Sequence, residues 1–252
     1  MELSETAKTA LACLDLTNLD DDCTEADVES LCDRARSPHG PVAAICIWPR
    51  FVAHAHDQLV GGAVRIATVV NFPAGDAPAG EVMEAAREAV ADGADEIDLV
   101  IPWRGLVEGA EEPVRTLVAR VKEAAGGATL KAILETGMLN DDALIRRAAH
   151  LAISGGADFI KTSTGKVPVN ASLRAVRIML EEISGAEHPV GVKPSGGIRS
   201  TTDAAAYLEL AEEVMGAGWP TPSTFRFGAS GLYDALIATL DGAEVPRVSD
   251  AY

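Results

Sequence analysis

Residues 156–166 read Gly156-Ala157-Asp158-Phe159-Ile160-Lys161-Thr162-Ser163-Thr164-Gly165-Lys166. A glycine suited to closing a helix leads into a short apolar run, and a glycine-containing loop follows. The same opening recurs at Gly93-Ala94-Asp95, ahead of Glu96-Ile97-Asp98-Leu99-Val100-Ile101. Working outward from these two joins, eight strands are expected, at 11–17, 42–48, 64–71, 95–101, 129–135, 157–162, 189–194 and 224–229. Helical stretches are expected at 24–36, 50–60, 79–92, 106–125, 140–155, 171–184, 201–217 and 230–240. Alternating strands and helices imply a parallel sheet, and eight repeats suggest closure into a (β/α)8 TIM barrel of the α/β class. Such a barrel typically needs about 250 residues, and the chain has 252. No linker divides it, so residues 1–252 are expected to form a single catalytic domain with a flexible tail over 242–252.

The net charge is −17, and no basic stripe of the kind that nucleic-acid binders carry is visible. No apolar run reaches the roughly 18–20 residues that cross a bilayer. The first residues, Met1-Glu2-Leu3-Ser4-Glu5, lack the pattern of a secretory signal, and a cytoplasmic location is expected. The cysteines, Cys13, Cys23, Cys32 and Cys46, form no C-x-x-C pair and read as small buried hydrophobes rather than disulfides. An anionic substrate would need a locally positive site in this acidic chain.

Side chains alternate between the two faces of a strand. Leu14 and Leu16 share a face against Cys13, Asp15 and Thr17; Ile45 and Ile47 oppose Ala44, Cys46 and Trp48. Ile97, Leu99 and Ile101 oppose Glu96 and Asp98; Leu130, Ala132 and Leu134 oppose Lys131 and Glu135. With the apolar faces toward the helices, the lumen collects Asp15, Glu96, Asp98, Lys131, Glu135, Lys161 and Lys193. Barrel lumens are usually filled with Val, Ile and Leu, and a buried ion costs several kcal/mol unless paired. A charged lumen therefore implies a paired network, an active site, or both. Lys131 is expected to pair with Glu96 or Glu135.

The chain has only six lysines, Lys8, Lys122, Lys131, Lys161, Lys166 and Lys193, and three fall on lumen faces. A lysine where arginine does most of the cationic work suggests an amine that can lose its proton. Lys161 and Lys193 lie on neighbouring strands about 5 Å apart. Each is expected to suppress the other's charge. A neutral lysine at a barrel mouth suits Schiff-base chemistry, with Asp98 and Asp15 placed to hold the remaining ammonium. Spacing alone does not decide which of the two attacks.

Loops rich in glycine follow the last three strands: Thr162-Ser163-Thr164-Gly165-Lys166, Ser195-Gly196-Gly197 and Gly228-Ala229-Ser230-Gly231. Glycine lets backbone N–H groups approach an anion, and a helix N-terminus adds a favourable dipole. Barrels often bind phosphate with the loops after strands 7 and 8.

The segments Leu14-Asp15-Leu16-Thr17, Ala44 to Arg50, Asn71-Phe72-Pro73, Asp95 to Asp98, Phe159 to Lys166 and Val192 to Arg199 together resemble the deoxyribose-phosphate aldolases, from about residue 10 to Tyr252. The resemblance implies reversible cleavage of 2-deoxy-D-ribose 5-phosphate to acetaldehyde and D-glyceraldehyde 3-phosphate through a lysine Schiff base, without a metal or organic cofactor. It implies Lys161 as the Schiff-base lysine, Lys193 as its perturbing neighbour, and Asp98 as the acid/base carboxylate. It also implies Asp15, Thr17 and Cys46 in the substrate pocket, and Gly165, Lys166, Gly196, Gly197 and Ser230 at the phosphate. Tyr252 matches a C-terminal tyrosine that assists proton movement in some members. Gly231 and Ser195 depart from the family's usual serine and small apolar residue. The partner expected is a small phosphorylated sugar or aldehyde, with neither nucleic acid nor membrane; a homodimer is an assembly this reading allows.

A metal-dependent aldolase would need clustered ligands. The five histidines, His39, His54, His56, His150 and His188, lie outside the strands, and His54 and His56 point apart on one helix. Another phosphate-binding barrel enzyme, transaldolase-like or a sugar-phosphate isomerase, shares the fold. A non-catalytic binding barrel would not need the lysine pair.

Overall fold

The computed structural model describes residues 2–243. Eight parallel strands form one sheet: β1 (Leu14–Asn18), β2 (Ala44–Ile47), β3 (Arg65–Val70), β4 (Glu96–Val100), β5 (Thr129–Ile133), β6 (Phe159–Lys161), β7 (Gly191–Lys193) and β8 (Phe227–Ala229). Their order is β7-β6-β5-β4-β3-β2-β1-β8. The β7–β8 seam closes through bridges between Val192 and Phe225 and between Ser195 and Gly228. The N–H of Gly228 donates to the carbonyl of Pro194, and that of Arg226 to the carbonyl of Val192. The expected TIM barrel is therefore present, with each strand shorter than the sequence run that announced it.

Around it lie α1 (Leu3–Ala12), α2 (Glu25–Ala35), α3 (Val52–Leu59), α4 (Ala79–Ala91), α5 (Trp103–Val107), α6 (Glu112–Ala124), α7 (Thr136–Leu139), α8 (Asp142–Ser154), α9 (Leu173–Ser184), α10 (Thr201–Met215) and α11 (Leu232–Leu240). Local chemistry sets several starts. Thr24 and Asp27 make a reciprocal capping box on α2, and Ser200 and Asp203 make another on α10. Asp141 and Ser172 cap α8 and α9 with their side chains.

Two expectations need correction. Residues 11–13 belong to α1 and its C-cap, not to the first strand: Thr6, Ala7, Ala10 and Leu11 form a buried helical stripe that packs on α10 and α11. The single helix expected over 106–125 is two, broken where Gly109 takes φ +93 and Pro113 restarts the coil in the first turn of α6.

The apolar strand faces pack outward against the helices in one large core that includes Leu14, Leu16, Ile45, Ile97, Leu99, Leu130, Ile160 and Val192. A second, smaller apolar cluster sits in the lumen: Ala44, Cys46, Ala67 and Val69, with Leu19, Trp48 and Phe72 against it.

Candidate active site

Seven charged side chains meet inside the barrel. They come from β1 (Asp15), β4 (Glu96, Asp98), β5 (Lys131), β6 (Lys161), β7 (Lys193) and the residue before β8 (Arg226), and none is more than 6% exposed. Strand register makes the meeting possible: Asp98 pairs with Lys131 across β4 and β5, and Lys161 with Lys193 across β6 and β7. One oxygen, Asp98 Oδ2, accepts from both Lys161 Nζ and Lys193 Nζ, each at 2.8 Å. The other, Oδ1, accepts from Lys131 Nζ at 2.9 Å. Lys131 also lies 2.5 Å from Glu96 and 3.4 Å from Asp15. Lys193 Nζ is 2.5 Å from Asp15 Oδ2, yet that oxygen has no well-aligned donor; this contact is a charge contact rather than a directed hydrogen bond. Arg226 donates to Asp15 at 2.7 Å and forks onto Glu96 at 2.8 and 3.0 Å.

Lys131 thus pairs with Glu96 as expected, and not with Glu135. The two mouth lysines do not suppress each other equally. For Lys161, burial opposes the ammonium and Lys193 adds to that; these outweigh the pull of Asp98, so the amine titrates below the ordinary lysine value. For Lys193, burial is outweighed by Asp15 and Asp98, and its value is raised. Burial would raise Asp98 too, but Lys131, Lys161 and Lys193 hold its carboxyl well below the usual range. The expected mutual suppression is therefore corrected: the two amines shift in opposite directions, Lys193 upward and Lys161 downward. The difference lies in carboxylate contacts, two for Lys193 and one shared oxygen for Lys161.

Three carboxylates of this network face four potential cations. With Lys161 neutral, the buried charges balance. Balance matters because uncompensated charge in a dry interior costs several kcal/mol.

At the C-terminal ends of the strands lies a cavity of about 500 Å³. It is lined by all three glycine loops and by Thr17, Asn18 and Arg199. The structure thus gathers Thr17, Gly165, Lys166, Gly196, Gly197 and Ser230 as expected. Asp15 and Cys46 are not in this lining; both sit deeper, fully buried. Lys161 is absent from the lining too, lying at 2% exposure three residues before Thr164. Gly196 takes φ +81, and a Cβ there would come within 2.7 Å of Asn170, so that turn needs glycine. Lys166 reaches across the mouth to the carbonyl of Leu19 at 2.8 Å.

Glu135 leaves the strand pattern. β5 ends at Ile133, and Glu135 adopts the left-handed region at φ +57, a strained choice for a side chain with a Cβ. Its carboxylate accepts the Thr164 hydroxyl at 2.6 Å and the Thr164 N–H at 3.2 Å. The Thr164 hydroxyl in turn accepts from the Lys166 N–H at 3.1 Å. Glu135 therefore holds the loop after β6 rather than joining the ion network. Burial pushes its carboxyl upward.

Two residues of the site escaped the sequence reading. Arg226 stands between Phe225 and Phe227, and the same alternation that found the other lumen charges marks it. Arg199, at the end of the quoted Lys193-Pro194-Ser195-Gly196-Gly197-Ile198-Arg199 segment, adds a second cation to the cavity. Tyr252 lies outside the described residues, as does the expected tail from residue 244 onward. Among the described residues no cluster of three His, Cys, Asp or Glu is arranged to hold a metal, and no helix is long and apolar enough to cross a membrane.

A deoxyribose-phosphate aldolase from Agrobacterium fabrum is 52% identical over 250 residues, covering 98% of this chain and 96% of that protein. The crystal structure of a candidate deoxyribose-phosphate aldolase from Toxoplasma gondii superposes with a TM-score of 0.86 at 27% identity, over 96% of each chain. The tetrameric deoxyribose phosphate aldolase from Aeropyrum pernix, at 24% identity, shares the fold with a TM-score of 0.76 over 94% of this chain and 97% of that one. The DeoC/LacD family aldolase model matches residues 9–232, the span that carries every lumen charge and all three glycine loops. By that match, the chain belongs to the DeoC/LacD family of aldolases.

Proposed function

We propose that this chain is a class I aldolase that reversibly cleaves 2-deoxy-D-ribose 5-phosphate to D-glyceraldehyde 3-phosphate and acetaldehyde, with Lys161 as the Schiff-base lysine. The observation that carries this reading is the asymmetry of the lysine pair beneath a cavity of about 500 Å³ lined by three glycine-containing loops.

Neutral Lys161 adds to the C1 aldehyde of the open-chain sugar, and loss of water leaves an iminium. A base takes the proton of the C3 hydroxyl, the C2–C3 bond breaks, and its electrons move into the iminium to give an enamine. Glyceraldehyde 3-phosphate departs. The enamine takes a proton at C2, and water releases acetaldehyde and the free amine. The iminium is the electron sink, so the scheme calls on no metal or organic cofactor. Asp98 Oδ2 touches both amines and is placed to pass protons between Lys161 and ammonium Lys193. Asp15 keeps Lys193 charged, and Cys46 keeps that wall of the lumen dry. Tyr252 is assigned to proton movement at C2. Lys166 and Arg199 supply positive charge for the phosphate. Gly165, Gly196, Gly197 and Ser230 supply close donors, and α11 begins at Leu232 without a side-chain cap, leaving its first N–H groups for an anion. Thr17 borders the sugar.

A single catalytic domain working in the cytoplasm as a homodimer goes with this reading. Sedimentation would test the assembly, and a monomer would remove it. For the chemistry, borohydride reduction with acetaldehyde followed by peptide mapping should place the adduct on Lys161. An adduct elsewhere, or none, would overturn the assignment. Deleting Tyr252 should slow turnover without preventing adduct formation; unchanged turnover would retire its role.

A further inference from the structure

The charge count has a further consequence, which rests on Lys161 being the nucleophile. Arg226 enters the lumen from the end opposite the cavity: it borders a groove with Pro222, Ser223 and Glu96, and its Nε donates to the carbonyl of Pro222. It has no contact with the substrate cavity. Its guanidinium is permanently charged, and it occupies one oxygen of Asp15 and both of Glu96. Lys131 draws on the same Asp15, Glu96 and Asp98. Every carboxylate is thus shared before Lys161 is reached.

We infer that Arg226 is a positioning residue for the nucleophile: its fixed charge completes the neutralisation of the three lumen carboxylates and so leaves Lys161 as the cation the network can spare. The groups that face Lys161 support this. Asp98 of β4 and Lys193 of β7 are in its immediate circle, with the Cys46 thiol of β2 beside them. Lys131 of β5 holds the far oxygen of Asp98. Glu135, past the end of β5, spends both oxygens on Thr164 and has no cation within 4 Å among the described residues, so its pull on Lys161 acts only at longer range. Among the described residues the Lys161 amine contacts no carboxylate oxygen other than Asp98 Oδ2. Removing a cation from the network should restore the Lys161 proton, and removing a carboxylate should do the reverse. Each effect travels through the shared network and needs no change at the mouth.

The test is the pH dependence of borohydride trapping of acetaldehyde on the full-length protein. Glu96→Gln should move the midpoint to lower pH by about one unit, and Arg226→Met should move it to higher pH by about one unit. The double variant, with one cation and one carboxylate removed, should return close to the wild-type midpoint. Arg226→Lys, which keeps the charge and changes the shape, should also stay near wild type. If Arg226→Met does not fold, Glu96→Gln and the double variant decide the matter. Equal midpoints in all folded variants, or a double variant that keeps the Glu96→Gln shift, would overturn the inference. Failure of the wild-type protein to trap an adduct on Lys161 at any pH would instead overturn the proposed function, so the two outcomes are distinct.

Discussion

The lumen has two unlike walls. On β2 and β3 it presents Ala44, Cys46, Ala67 and Val69; on β1 and β4 to β8 it presents three carboxylates, three lysines and an arginine. Both walls are dry, with Cys46 and Ala67 as fully buried as Asp98 and Lys193. The small wall leaves room for long side chains to cross the barrel. Apart from the Cys46 thiol it offers the ions little polar contact, so they depend mainly on their ionic neighbours. A more polar second wall would favour an ammonium at Lys161 further than the Cys46 thiol does. The apolar wall is thus part of what lowers the proton affinity of the amine, although it takes no part in any bond-making step.

The sharpest way to break this comparison is at the amine itself. Lys161→Ala should lower kcat/KM for cleavage by more than about 10⁴-fold, measured by aldehyde release. The same change should not lower the denaturation midpoint, because the remaining network is balanced. In the wild type, kcat/KM should fall on the acid side as Lys161 gains its proton. That limb should lie below the ordinary lysine value of about 10.4, because the folded value is depressed.

Next in size is a stability loss on the charged wall. Lys131→Met takes one cation from Glu96, Asp98 and Asp15 and should cost about 3–5 kcal/mol, read from urea unfolding. On the apolar wall, Val69→Thr keeps volume but adds a buried hydroxyl, with an expected cost of about 1–3 kcal/mol. It should also move the acid limb of the pH profile to higher pH, by supplying a further dipole on that wall; an unmoved limb would separate the apolar wall from the chemistry.

The smallest effect is expected at the mouth, where the walls end. Glu135→Gln keeps one acceptor and turns the other into a donor, so the Thr164 hydroxyl and N–H can no longer both be satisfied. It should raise KM for the phosphorylated sugar several-fold, a change worth about 1 kcal/mol. Turnover of unphosphorylated 2-deoxyribose should be unaffected, since the loop after β6 holds only the phosphate end.

Period-two alternation is a local property, and so the lumen charges from Asp15 to Lys193 were readable strand by strand. Arg226 is equally readable by the same alternation, between Phe225 and Phe227. The roles within the network were less accessible. Whether Asp15 serves Lys193 or Lys161 depends on how residues from β1 and β7 meet across a closed barrel, and no spacing encodes that. Glu135 misled the alternation because β5 ends two residues earlier and the chain turns left-handed. The boundary of the first strand failed for a similar reason. Leu11 and Ala12 suit a strand by composition, while the stripe from Thr6 to Leu11 that makes them helical is visible only once α10 and α11 provide a surface to cover.

The Asp15–Arg226 pair joins positions 211 residues apart. During synthesis on the ribosome, the first strand emerges long before its guanidinium partner exists. A shortened chain that ended before β8 would leave Asp15 and Glu96 facing Lys131 and Lys193 across an open seam, with water still needed to satisfy them. Long-range pairing of this kind slows folding, and here it also sets an order. The charge network can close only after β8 has been translated, because the Arg226 contacts to Asp15 and Glu96 arrive with that strand.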